Sequence, residues 1–168
     1  MTDKINEAME NNQFSIGVFV DLSNAFDTLN HNILFNKLYH YGIHGVSYEW
    51  FKSYLSNRYQ YVHFNRYSSS CLPITCGVHQ GSILEPLFLL IYINDICHVA
   101  KKSHLILFTD DTNIFVADHN LNNLICNINY ELQLVSEWFQ VNKLSLNINK
   151  TNFVFFVSPK NIMIIIIW

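Results

Sequence analysis

The segment Phe14–Leu22 constrains the fold more than any other part of the chain. It is almost continuously apolar and rich in β-forming residues, and its pattern breaks over Asp21–Asp27, where Ser23 and Asn24 intervene. Such a run is expected to be a strand buried on both faces. A second apolar run, His104–Phe108, leads into Asp110-Asp111, which the pattern places in a tight turn before a returning strand over Asn113–Ala117. Both runs deliver carboxylates to the end of a strand, where a ligand can reach them.

The remaining segments fill in around these two. Residues 1–13 are polar and form a helical or frayed lead-in. Asn30 offers an N-cap for a helix running to about Tyr41 and ended by Gly42. Gly45 opens a second helix over Val46–Asn57, with Trp50, Tyr54 and Leu55 as expected core positions. Tyr59–Phe64 alternates as a strand, and Asn65-Arg66 turn the chain into a second strand towards Cys76. Gly77–Gly81 is a loop. Ser82 and Glu85 have capping-box spacing and start an apolar helix to about Val99, with Pro86 tolerated in its first turn. Between Asn120 and Asn142 the apolar residues Leu121, Leu124, Ile125, Ile128, Leu132, Val135 and Phe139 recur in steps of three and four, the mark of an amphipathic helix. Leu144–Ile148 and Phe153–Val157 close the chain as strands. The order predicts an α+β fold, a sheet with helices packed on one face.

Composition bounds the function. The chain has 168 residues, half of them apolar and 14% charged, which fits one globular domain and excludes disorder. Lys and Arg number 10 against 13 Asp and Glu, a balance that weighs against a free-standing nucleic-acid binder, whose phosphate contacts need a basic stripe, but does not exclude the core of a larger protein with its basic parts elsewhere. Cys71, Cys76, Cys97 and Cys126 form no CxxC pair and are expected as free, mostly buried thiols. The eight scattered histidines do not suggest zinc. No signal peptide or membrane span is expected, since the longest apolar run before the Ile162–Trp168 ending is Leu87–Ile93.

Two adjacent aspartates repel each other by about 4 kcal/mol at ~4 Å and an effective dielectric near 20, so a counter-cation is favoured at Asp110-Asp111. Magnesium suits such a site as a hard ion taking carboxylate oxygens plus substrate phosphates. Taken singly, an Asp-Asp turn is an ordinary hairpin signal and Asp21 an ordinary helix cap. The pair of sites, both following apolar strands, carries the metal reading.

At these residues the chain resembles a known family. Phe19-Val20-Asp21-Leu22-Ser23-Asn24-Ala25-Phe26-Asp27 resembles the first catalytic motif of reverse transcriptases. Gly77-Val78-His79-Gln80-Gly81-Ser82 is similar to their Gly-Val-Pro-Gln-Gly-Ser loop, and Phe108-Thr109-Asp110-Asp111 to their aromatic-x-Asp-Asp turn. Asn30-His31, Tyr41-Gly42-Ile43, Trp50–Arg58, Ile91–Asp95 and Leu146-Asn147 with Lys150-Thr151 match the non-LTR retrotransposon type in order. The resemblance covers about Phe14–Phe156.

It implies a polymerase palm with partial fingers and no thumb over residues 14–157, an N-terminal flank over 1–13 and a truncated tail over 158–168. The implied activity is RNA-directed DNA synthesis, a two-metal nucleotidyl transfer to a primer 3′-hydroxyl. The implied partners are an RNA template, a DNA primer and dNTPs, with nuclear access for the parent element. Asp21, Asp110 and Asp111, with the Leu22 carbonyl, are the implied ligands of two Mg²⁺ ions. Phe26 falls where the family stacks a bulky residue under the sugar, although a core phenylalanine fits equally. Gln80 and Gly81 fall beside the nucleotide and template. Lys150 is the implied proton donor to pyrophosphate, and a solvated lysine fits the isolated residue as well.

Four positions depart from the family pattern. His79 replaces a proline, loosening the loop by about 0.4–1 kcal/mol. Glu85 replaces a glycine and adds negative charge near the triphosphate; Asn24 stands where a lysine is common; Thr109 replaces a frequent alanine. With the upstream fingers and the thumb absent, these departures raise an alternative: a catalytically inactive remnant acting at most as a weak binding module. Alone, the chain is expected not to extend a primer.

Overall fold

The computed structural model describes residues 1–79, 81–108 and 111–157. In chain order they form α1 (Thr2–Glu10), β1 (Phe14–Val20), β2 (Leu22–Ser23), α2 (Ala25–Thr28), α3 (His31–His40) and α4 (Gly45–Leu55). Four two-residue strands follow: β3 (Tyr59–Gln60), β4 (His63–Phe64), β5 (Tyr67–Ser68) and β6 (Leu72–Pro73). Then come α5 (Leu84–Ile93), a 3₁₀ turn (Asn94–His98), β7 (His104–Phe108), β8 (Asp111–Asp118), α6 (Leu121–Val141), β9 (Ser145–Leu146) and β10 (Asn152–Phe156). The chain divides into two compact units, Met1–Ser23 with the chain from Asn94 onward, and Asn24–Ile93.

The first unit is built on an antiparallel sheet ordered β10-β1-β8-β7. β1 is internal, as its apolar run requires, with Val18 opposite Ile114 and Phe153. Directly opposed residues share a face. One row therefore carries Ile16, Val18, Val20, Ile114 and Val116, all buried, and the other carries Gly17 and Phe115. α6 runs against β1 and β8, and Leu124, Ile128, Val135 and Phe139 are its buried stripe. α1 lies over the Gly17 row, where a Cβ on Gly17 would come within 2.5 Å of the Met1 methyl. The expectation of helices on one face is thus corrected. A strand buried on both faces needs cover on both, and α1 supplies the second.

The Asn120 side chain accepts from the Asn122 and Asn123 amides and caps α6. Leu121 and Ile125 lie at the margin of the stripe and are exposed. Glu131 points inward and is fully buried, a departure from the periodic pattern. Its carboxylate accepts from the Lys101 and Lys102 amides and the Ser103 hydroxyl, and so ties down the loop that feeds β7.

The second unit packs α3, α4 and α5 around Leu34, Leu38, Phe88, Leu89 and Tyr92. Asn30 caps α3 through Ile33, as expected. Trp50 is 53% exposed and not a core residue; Leu55 is buried, and Phe51 rather than Trp50 meets Phe88, with ring centroids 5.5 Å apart. The expected strand over Tyr59–Phe64 is broken at Tyr61-Val62, giving two short hairpin segments, β3–β6 and β4–β5. Asn65 and Arg66 form the turn, both with positive φ. α5 stops at Ile93 and tightens into the 3₁₀ turn before Val99. The four cysteines are free but exposed, because Cys71 lies on the hairpin, Cys76 on the segment after it, Cys97 on the 3₁₀ turn and Cys126 on the outer face of α6 rather than in a core. Among the described residues no helix is long and apolar enough to cross a membrane.

Candidate nucleotidyl-transfer site

The register of β1 on β8 places the first carboxylates. Val20 pairs with Thr112, so Asp21, just after β1, and Asp111, the first residue of β8, emerge at the same end of neighbouring strands. Asp111 pairs with Phe108 and is a strand residue, not part of the turn itself. Asp110, expected beside it, lies outside the described residues, as do Thr109 and Gln80. Asp21 is half-buried and Asp111 exposed. No hydrogen bond or ion pair to another described residue engages either carboxylate.

The backbone around Asp21 is held firmly. Its carbonyl accepts from the Asn147 amide at 2.9 Å, and its own amide points to the Thr151 hydroxyl at 3.4 Å. β2 then pairs Leu22 with Leu146. Thr151 closes the turn by donating both its amide and its hydroxyl to the Asn147 carbonyl. Lys150 sits inside that same turn. The first unit therefore gathers Asp21, Leu22, Asp111 and the Lys150 backbone around one end of the sheet. Asn147 and Thr151 were legible only as members of a late motif; nothing in their residue types announced that they brace Asp21.

The second unit holds Phe26 and Gly81. The Phe26 carbonyl accepts from the Val78 amide at 3.0 Å, the Leu29 carbonyl from the Gly77 amide at 2.8 Å, and Asn30 bridges Cys76. The buried His31 ring nitrogen Nε2 meets the Gly77 carbonyl at 2.7 Å. Four contacts thus stitch the α2–α3 junction to the loop that starts at Gly77. Gly77 has φ +79, and a Cβ there would lie 2.7 Å from the Asp27 carbonyl oxygen, so both conformation and space require glycine. Asn24 also has positive φ and starts α2, its carbonyl accepting from Asp27, Thr28 and the Thr28 hydroxyl. Asparagine tolerates that conformation better than a lysine does.

The capping box at α5 is one residue out of step. The Ser82 hydroxyl accepts from the Leu84 amide and pairs with the Tyr54 hydroxyl at 2.8 Å. Glu85 reaches past Ser82 and accepts from the Gly81 amide at 2.7 Å. The acid that stands in place of a glycine thus occupies a backbone donor of the loop.

The chain matches the model of one protein family, reverse transcriptase (RNA-dependent DNA polymerase), over residues 1–165. It belongs to the reverse transcriptase family. Two relatives from Drosophila melanogaster agree. The RNA-directed DNA polymerase from mobile element jockey is 29% identical over 154 residues, 86% of this chain and 16% of that protein. The probable RNA-directed DNA polymerase from transposon BS is 28% identical over 161 residues, 90% of this chain and 17% of that protein. The family expected from the ordered motifs is borne out, and both relatives are mobile-element polymerases. The chain spans about a sixth of their length. Among solved structures it is similar to apo telomerase from Candida tropicalis, truncated from its C-terminal domain, with a TM-score of 0.60 at 15% identity over 99% of this chain and 37% of that one. Telomerase from Candida albicans, in complex with a fragment of telomeric RNA, gives a TM-score of 0.52 at 15% identity, over 96% of this chain and 30% of that one. At that identity the likeness concerns the fold, an antiparallel sheet with helices.

Among the described residues no three His, Cys, Asp or Glu side chains converge. Asp21 and Asp111 nevertheless fit a hard divalent ion: two carboxylates at one sheet end, neither neutralised by a described neighbour.

Proposed function

We propose that this chain is the palm, with part of the fingers, of the RNA-directed DNA polymerase of a non-LTR retrotransposon. Residues 14–157 form that segment, and 1–13 and 158–168 flank it. The observation that carries the reading is the β1–β8 register, which brings Asp21 and Asp111 to one end of adjacent strands from distant parts of the sequence.

In this reading Asp21, Asp110 and Asp111, with the Leu22 carbonyl, hold two Mg²⁺ ions. When bound, such ions supply Lewis-acid activation of a primer 3′-hydroxyl and neutralise charge on the triphosphate. The protein's part is placement. Asn147 and Thr151 fix the Asp21 backbone, so its carboxylate does not have to be ordered again for each nucleotide. Lys150, in the same turn, gives a proton to the departing pyrophosphate. Phe26, tied through its carbonyl to Val78, stacks under the incoming sugar and excludes a 2′-hydroxyl, while Gln80 and Gly81 border the nucleotide and the RNA template.

The test is primer extension by a polymerase containing this segment, on an RNA template with dNTPs and Mg²⁺. Asp21→Asn abolishes extension without lowering the melting temperature. Unchanged extension by that variant refutes the assignment. The second reading, an inactive remnant, draws on Glu85, whose carboxylate sits on the Gly81 amide. If that contact silences the site, Glu85→Gly raises extension from background.

A further inference from the structure

The second unit has a surface that the carboxylate chemistry does not use. From Trp50 to Leu84 the chain contains no Asp or Glu, but it does contain Lys52, Arg58 and Arg66, against a net charge of −3 for the whole. The hairpin β3–β6 with β4–β5 lies in this stretch, and every one of its strand residues is exposed. Four of its rings, Tyr59, Tyr61, Phe64 and Tyr67, are 63–82% exposed. Phe64 and Tyr67 oppose each other on the last rung, and the turn residue Arg66 stands between them in sequence at positive φ. The α4 helix continues the pattern towards the hairpin: Trp50 stacks on Tyr54 at 5.7 Å and 19°, and the Arg58 guanidinium lies 5.6 Å from the Tyr54 ring. Tyr54, Arg58 and Tyr59 also border a cleft of about 990 Å³ at the base of the hairpin, in which Asp27 is the one carboxylate among the described residues.

We propose that this hairpin, with the Trp50–Tyr54–Arg58 ladder, is a stacking platform that holds single-stranded RNA. Exposed rings interleaved with cations and free of acids are the recognition chemistry of unpaired strands: bases stack on the rings and phosphates meet the guanidinium groups. A protein partner is less well matched, because the ladder offers flat rings and fixed cations where protein docking favours a compact apolar core with a polar rim. The phenolic hydroxyls of Tyr59, Tyr61 and Tyr67 suit the ribose 2′-hydroxyl, which DNA lacks. The proposal rests on the reading of the chain as part of an RNA-copying polymerase. It adds a holding surface that needs neither the metal ions nor Asp21.

The test uses the 168-residue chain, a fluorescein-labelled 12-mer of uridines and its deoxy counterpart, followed by anisotropy. Tyr61→Ala, Phe64→Ala and Tyr67→Ala each weaken RNA binding about fivefold or more, with circular dichroism and melting unchanged because these side chains are exposed. Phe64→Tyr, which keeps a ring, restores affinity. Arg58→Gln with Arg66→Gln lowers the slope of log affinity against log salt by about 1.4. Omitting Mg²⁺ changes none of these. Full affinity in the folded alanine variants overturns the proposal. Equal binding of the deoxy 12-mer overturns its assignment to RNA. Self-association of the chain that the same alanine variants abolish, with no RNA binding, assigns the surface to a second copy instead. Asp21→Asn separates the two readings: its failure to affect extension refutes the metal site and leaves the platform standing, while failure of the alanine variants leaves the metal site untouched.

Discussion

Gly77 stands where the hairpin returns to the loop, and an alanine there meets two penalties. The first is conformational: φ +79 is left-handed, which costs an alanine about 1–2 kcal/mol relative to glycine. The second is steric. The new Cβ would lie 2.7 Å from the Asp27 carbonyl oxygen and 3.1 Å from its carbonyl carbon and Cα. These are backbone atoms of α2, which have no rotamer by which to withdraw. Relief requires the loop to move away, and the Gly77–Leu29 and His31–Gly77 hydrogen bonds stretch with it. Each is worth about 1 kcal/mol net, more where a buried donor is stranded. The sum is about 3–4 kcal/mol for Gly77→Ala. Gly42→Ala isolates the first penalty, since Gly42 has φ +84 and open space around it; it is expected to cost about 1–2 kcal/mol. Urea unfolding followed by far-ultraviolet circular dichroism compares the two directly. If Gly77→Ala is no less stable than Gly42→Ala, the close approach of Asp27 to the loop is wrong. The stitching of Phe26 to Val78 then loses its support.

Other substitutions test other parts of the fold. Glu131→Ala strands two loop amides and the Ser103 hydroxyl in a buried site and is expected to cost about 3–5 kcal/mol in thermal or urea unfolding; Glu131→Gln, which keeps the volume and one oxygen, costs less. Asn120→Ala removes the cap of α6 and lowers stability by about 1 kcal/mol, whereas Asn120→Asp retains it. Thr151→Val deletes the hydroxyl that faces the Asp21 amide and donates to the Asn147 carbonyl; stability is expected to fall by only about 1 kcal/mol, while Mg²⁺-dependent triphosphate binding, measured by calorimetry in a polymerase containing this segment, weakens. Glu85→Gln keeps a hydrogen bond to Gly81 but removes the charge, and tighter triphosphate binding in the same assay is the expected result.

The parts of this chain that were legible in its sequence are those where one physical effect dominates. The run Phe14–Val20 had to be an internal strand because burial of both faces leaves it no other place. α6 followed from apolar residues recurring in steps of three and four over Asn120–Asn142. Short elements were harder. The hairpin strands are two residues each, so the alternation over Tyr59–Phe64 read as one strand where the chain breaks at Tyr61-Val62, and α2 is a single turn framed by Asn24 and Asn30 rather than by any periodicity. Trp50 looked like a core residue because its hydrophobicity was the only term visible; its stacking on Tyr54 at the surface depends on neighbours that the helix pattern does not name. Glu131 failed in the opposite sense, since a buried carboxylate is stable only through the Lys101–Ser103 loop, which the sequence does not connect to it.

The candidate site divides along the same line. The family was readable from ordered motifs, and the residues proposed to carry the chemistry are those that the motifs name. What holds them was not readable. Asp21 depends on Asn147 and Thr151, far along the chain, and Phe26 on the Val78 amide, through contacts made by backbone atoms that every residue possesses. Glu85 shows the consequence. As a sequence feature it was a misplaced charge, or half of an ordinary capping box; in the fold it is a side chain spanning Ser82 to close on the Gly81 amide. On the proposed reading, a carboxylate in that position satisfies a donor that an anionic substrate would otherwise meet, so the contact that orders the start of α5 would oppose a triphosphate there. Stability and substrate charge therefore pull in opposite directions at this one residue, and the response of triphosphate binding to Glu85→Gln measures which of them the loop is built for.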